Sequence, residues 1–169
     1  MNTASPRIIV LGVGNILLSD EGVGVRVAEK LLAEYSFPPN VQIYDGGTLG
    51  LNLLPFIEEA DHLIVLDAVN GPGEPGSLYR YTAEDFTLAM PKKMSAHDIG
   101  LIECLAIAQI NDELPKSVVI IGVKPEDIRS YKMELTETIG PKAEEMAKMA
   151  LAEIESLGFR AEKKFSHNS

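Results

Sequence analysis

The stretch RIIVLGVGNILLSDEGVGVRVAEKLLAEY, Arg7 to Tyr35, decides the fold. Its first part, Arg7 to Val13, is a short continuous apolar run, rich in β-branched residues and closed by glycine. Such runs are strands buried on both faces, as parallel sheets require. After a loop, apolar or small residues recur at Gly24, Val27, Ala28, Leu31, Leu32 and Tyr35. These offsets follow one helix face, with Arg26, Glu29, Lys30 and Glu34 opposite. Pro38-Pro39-Asn40 stops the helix. A buried strand, a loop and an amphipathic helix within about thirty residues open a β–α–β unit.

The alternation continues outward. VQIYD, Val41 to Asp45, is a second strand ended by Gly46-Gly47, and a short helix follows from about Leu49 to Ala60. HLIVLDAV, His62 to Val69, is a third strand. Asn70-Gly71-Pro72-Gly73 and Pro75-Gly76 form the densest turn cluster in the chain. Ser77 to Tyr81 has the pattern of an edge strand, with Tyr79 and Tyr81 on one face. A helix is predicted over Asp98 to Ile110, a last strand over Ser117 to Val123, and a final helix over Glu137 to Leu157. Pro141 can open the longer part of that helix, and Gly158 can end it. Its buried stripe is Met146, Ala150, Ile154 and Leu157. The last ten residues, RAEKKFSHNS, show no periodicity. The expectation is a single α/β domain over residues 1–158 with a loose tail over 159–169. Its mostly parallel sheet is covered by helices on both faces, with right-handed crossovers.

Composition narrows the partners. The 169 residues hold 15 Lys and Arg against 25 Asp and Glu, a net charge of −10. So acidic a chain is a poor match for nucleic acid or an anionic membrane, both of which attract basic patches. No apolar run approaches the ~20 residues of a membrane span. The N-terminus has no signal-peptide pattern, because Gly12 and Gly14 break its apolar run. The cytoplasm is the expected location. Cys104 is the single cysteine, so an intrachain disulfide and a cysteine zinc cage are both excluded.

Open α/β sheets bind ligands outside the carboxyl ends of their strands. The first strand runs into Gly14-Asn15-Ile16-Leu17-Leu18-Ser19-Asp20-Glu21, the second ends at Asp45-Gly46-Gly47-Thr48, and the third ends at Asp67. Three strands thus deliver acids to one rim: Asp20 or Glu21, Asp45, and Asp67. Glu21 and Asp45 have plainer readings as well, whereas the place of Asp67 favours function. Glu21 suits a helix N-terminus, and Asp45 suits the turn before its two glycines. Asp67 closes an apolar strand, where an unpaired carboxylate is costly. Of the three histidines, His62 opens the third strand, about 16 Å from Asp67 at ~3.3 Å per residue. His167 lies in the tail, and His97 lies in a loop just before a helix. His97 is therefore the histidine able to join the acids. Carboxylates with one imidazole suit zinc, nickel or a similar ion and leave positions open for water or substrate. Cys104 sits mid-helix among Leu101, Leu105 and Ala108 and reads as a core thiol. Gly12 to Asn15 lacks the spacing of a nucleotide-phosphate loop, and there is no Gly-x-Ser-x-Gly elbow and no His-Glu-x-x-His helix.

At these residues the sequence resembles the hydrogenase maturation endopeptidases. The matching segments are GVGNILLSDEGVGVRVAEKL (12–31), DGGTLGLNLLPFIEEADHLIVLDAV (45–69), EPGSLYRY (74–81), KKMSAHDIGL (92–101) and GVKPEDI (122–128). The DEGVG, DGGT, LDAV and SAHD blocks follow the family's order and spacing. The resemblance implies a three-layer α/β/α sandwich with a five-stranded sheet. It also implies an endopeptidase that removes a C-terminal extension from the [NiFe] hydrogenase large-subunit precursor once nickel is in place. The family's metal ligands fall on Glu21, Asp67 and His97, and Asp45 in the DGGT loop is implicated in function. The divalent metal implied is nickel, held by the enzyme or presented by the precursor. A non-catalytic metal-centre chaperone binding the same loaded precursor is the rival from another class. A nucleotide-binding module is a second rival.

Overall fold

The computed structural model describes residues 4–85 and 98–165. The expected ligand His97 and the tail residue His167 lie outside the described residues. Five strands form one sheet: β1 (Ile8–Val13), β3 (Val41–Gly47), β4 (His62–Ala68), β5 (Leu78–Thr82) and β6 (Ser117–Val123). Their order is β3-β1-β4-β6-β5. Every pairing is parallel except β5 with β6, which is antiparallel. The dense Gly-Pro turn before β5 reverses the chain, so the edge strand returns without a crossover helix. On β5, the rings of Tyr79 and Tyr81 stack with centroids 5.7 Å apart.

Period-two alternation divides the core between two faces. Ile8 and Val10 of β1 join a cluster with Val27 and Leu31 of α1 (Val23–Glu34). Met146 and Ile154 of α4 (Gly140–Ser156) belong to the same cluster. Ile9 and Leu11 point the other way, into a cluster with Ile57 of α2 (Leu54–Glu59) and with Leu101 and Cys104 of α3 (Asp98–Ile110). Among the described residues, two helices on each side of the sheet make the expected three layers. Cys104 is fully buried, with Sγ 3.6 Å from the Gly50 carbonyl. Burial pushes its thiol pKa up, away from the reactive thiolate.

The boundaries differ from the sequence reading in three informative places. The helix expected over 49–60 splits into a 3₁₀ turn, Gly50–Leu53, and α2, whose first turn holds Pro55. The last helix begins at Gly140 rather than Glu137, with Pro141 in its first turn. Thr136 is engaged elsewhere, as described below. The segment after Gly158 is tied down over part of its length. Glu162–Lys163 (β7) pairs antiparallel with Tyr35–Ser36 (β2), and the Lys164 N–H donates to the Glu34 carbonyl at 2.8 Å. Phe159 packs against the cluster of α1 and α4. A two-residue pairing is too short to leave a periodic signal. Among the described residues, no helix is long and apolar enough to cross a membrane.

Candidate active site

The strand order defines where a ligand crevice opens. The connection leaving β1 runs through α1 to β3 on one side, whereas the chain leaving β4 goes on to β5 and β6 on the other side. Departing in opposite directions, the two connections leave a switch point between β1 and β4 at their carboxyl ends. Glu21 follows β1, and Asp67 lies near the end of β4. The two acids therefore flank the switch point.

Three glycines bring these segments together. A Cβ on Gly24 would lie 2.0 Å from the Leu66 carbonyl oxygen and 2.6 Å from that of Val13. One on Gly12 would lie 2.4 Å from the Gly24 carbonyl oxygen. One on Gly14, whose φ is +130°, would lie 2.0 Å from the Glu21 carbonyl oxygen. These are backbone-to-backbone approaches that any side chain would block. They press the start of α1 onto the residue before Asp67 and the turn of Glu21 onto the loop after β1.

Glu21 is half-buried in the 3₁₀ turn Ser19–Gly22, which leads directly into α1. Asp67 is 2 % exposed, and its Oδ1 accepts the Ala68 N–H at 2.8 Å. Neither Glu21 nor Asp67 is without a further partner. Asp45 is exposed on β3, in register with Gly12 of β1, and its Oδ1 accepts the Gly47 N–H at 2.9 Å. Neighbouring strands thus carry all three acids to one rim, as the sequence implies. His62 is at the opposite end of β4, where its Nδ1 lies 2.6 Å from Ser117 Oγ. Among the described residues, no three His, Cys, Asp or Glu side chains form a metal-holding group. The third expected ligand, His97, lies outside them.

Burial distinguishes Asp20 from Glu21. Asp20 is 0 % exposed and faces the protein interior. Its Oδ2 accepts the N–H groups of Glu126 and Asp127, both at 3.0 Å, and its Oδ1 accepts that of Thr136 at 2.8 Å. The Thr136 hydroxyl reaches both oxygens, at 3.1 and 2.9 Å. Full hydrogen bonding is what allows a carboxylate to be buried. Nothing local in the sequence points to these partners, which lie 106 to 116 residues away.

The fold and rim define an α/β protein with carboxylates gathered at a switch point of its sheet, the place where open α/β sheets bind ligands. A family model described as hydrogenase maturation protease (HycI) matches residues 25–153. The chain is 38% identical over 156 residues to the hydrogenase 2 maturation protease of Escherichia coli K12, covering 92% of this chain and 94% of that one. It is also 38% identical over 158 residues to the hydrogenase expression/formation protein HupD of Rhodobacter capsulatus, covering 93% and 75%. The solved hydrogenase maturating endopeptidase HybD from E. coli superposes with a TM-score of 0.88 at 38% identity, over 94% of this chain and 98% of that one. The chain belongs to the hydrogenase maturation protease family and is a peptidase.

Proposed function

We propose that this peptidase removes the C-terminal extension of a [NiFe] hydrogenase large-subunit precursor after nickel has been inserted, using Glu21, Asp67 and His97 as ligands to a divalent metal. The observation that carries the reading is the placement of Glu21 and Asp67 on either side of the switch point between β1 and β4. Nickel presented by the precursor is the natural occupant, which makes the metal part of the substrate. Two carboxylates and an imidazole suit such an ion and leave positions for the precursor's own ligands. A bound divalent ion would supply Lewis-acid polarisation and acidify a bound water.

The chain's own groups do the rest. Glu21 and Asp67 provide anionic oxygens from rigid backbone, since the glycine contacts leave the turn and the strand end little freedom. Asp45 is exposed at the same rim, with one oxygen aimed by the Gly47 N–H, and acts as general base. It takes a proton from the attacking water as the hydroxyl adds to the scissile carbonyl carbon. The same proton then passes to the leaving amine nitrogen as the C–N bond breaks. The buried thiol of Cys104 lies in the core of the α2–α3 face and takes no part.

The test is incubation of the nickel-loaded precursor with the enzyme, followed by mass spectrometry. Loss of the C-terminal extension is expected. Binding without any change in mass would favour a non-catalytic chaperone. Glu21→Gln, Asp67→Asn and His97→Ala are each expected to abolish cleavage. Undiminished cleavage by any of them, as folded protein, would remove that residue from the ligand set.

A further inference from the structure

We propose that Asp20 is the positioning residue of the site: its buried carboxylate bolts the 3₁₀ turn that carries Glu21 to the segment between β6 and α4, and so aims the Glu21 carboxylate. This rests on the reading of Glu21 as a metal ligand. In a 3₁₀ turn, consecutive side chains project roughly 120° apart, at three residues per turn. Holding Asp20 inward therefore sets the direction of its neighbour Glu21.

The hold is extensive. One carboxylate gathers the N–H groups of Glu126, Asp127 and Thr136 and the Thr136 hydroxyl. The same turn answers with its backbone. The Asp20 N–H donates to the Asp127 carbonyl at 3.0 Å, and the Ser19 N–H donates to the Lys132 carbonyl at 2.8 Å. The Ser19 hydroxyl donates to the Glu134 carbonyl at 2.9 Å. Ser19 takes a φ of +52°, a conformation that a non-glycine residue keeps only when its surroundings enforce it. On the other side, the Glu21 carbonyl lies against Gly14 too closely for any side chain between them. The turn is thus gripped from both sides. Its inward residue is a buried carboxylate that three backbone amides depend on, and an apolar residue there would leave those donors unpaired. A charged anchor with donors on three fixed backbone amides sets direction as well as position, and direction is what a ligand needs.

Asp20→Asn is the test variant. Either amide orientation sets an NH₂ group against a backbone N–H, because both carboxylate oxygens accept from amides. Nickel affinity, measured by equilibrium dialysis of Ni²⁺ with the full chain, should fall at least tenfold, the usual scale for loss of a ligand-orienting partner. In precursor cleavage, KM should rise, because the metal that Glu21 holds is part of the substrate, and kcat/KM should fall by at least the same tenfold. Thr136→Ser keeps the hydroxyl and should retain wild-type affinity, whereas Thr136→Val should weaken it measurably. Met146→Ala, a core truncation in α4, controls for lost stability and should leave affinity unchanged once folded. The proposal is overturned if folded Asp20→Asn binds nickel as tightly as wild type. It is equally overturned if Met146→Ala loses as much affinity as Asp20→Asn. Should Asp20→Asn not fold, Thr136→Val decides, and wild-type affinity there refutes the proposal. Unchanged affinity in Glu21→Gln would instead strike down the ligand reading itself.

Discussion

Gly24→Ala separates two physical accounts of the start of α1. Helix propensity alone favours the change, since alanine is better than glycine in a helix by about 1 kcal/mol. The structure predicts the opposite sign. The new Cβ would meet the Leu66 carbonyl oxygen at 2.0 Å and carbon at 2.6 Å, with the Val13 carbonyl oxygen also at 2.6 Å. Ordinary contact begins near 3.4 Å, so a separation of more than about 1 Å must open between α1 and β4, and somewhat less between α1 and β1. None of these atoms is the end of a flexible side chain. Overpacking costs about 1–3 kcal/mol, and a clash with rigid backbone belongs at the upper end of that range. After the propensity gain, a net loss of about 2 kcal/mol remains. For a chain of this size it should lower Tm by about 4–8 °C. The same displacement moves Glu21 relative to Asp67, and a misplacement of about 1 Å can cost about a hundredfold in rate. Gly140→Ala is the matched control, because a Cβ there meets nothing within 4 Å. It should leave Tm and cleavage unchanged or slightly improve Tm. Calorimetry and precursor cleavage at a temperature where both variants are folded are the assays. A Gly24→Ala protein as stable as wild type, with full cleavage, would refute the close-packing argument.

Three further outcomes are expected. Cys104→Ser should keep cleavage activity and lose modest stability in urea denaturation, because the thiol is buried and its pKa is raised by that burial; a folded but inactive variant would restore a thiol nucleophile. Asp127 is held down to about 2 by the Ser130 side chain foremost, with the Ser130 and Arg129 N–H groups helping. Since this folded-state pKa is depressed, its stabilising contribution is complete above the unfolded value near 4 and is lost as pH falls through about 2. An NMR titration of its carboxyl with a midpoint near 4 would contradict that. Chelator-treated, desalted enzyme should cut the nickel-loaded precursor and leave the nickel-free precursor intact, as gel mobility would show; efficient cutting of the nickel-free form would take the substrate's metal out of the mechanism.

The class of fold and much of the rim could be read from the order of the residues. Buried parallel strands are continuous apolar runs, so Ile8–Val13, His62–Ala68 and Ser117–Val123 could be read directly, and the α1 face followed from its spacing. Acids placed at or just after strand ends marked Asp45, Asp67 and the Asp20-Glu21 pair, because a parallel sheet sends all those ends to one side. Which acid of that pair turns inward depends on contacts far away in the chain. Adjacent carboxylates have the same local chemistry, and only the distant Glu126, Asp127 and Thr136 donors distinguish them. Those donors also explain the late start of α4, since Thr136 serves Asp20 and caps the turn at Ile139. The reasons for Gly12, Gly14 and Gly24 were likewise hidden, because a glycine's missing side chain matters only when another segment comes to occupy its place. Periodicity reports which face of an element is buried, whereas the partner of a buried charge is chosen by the whole fold.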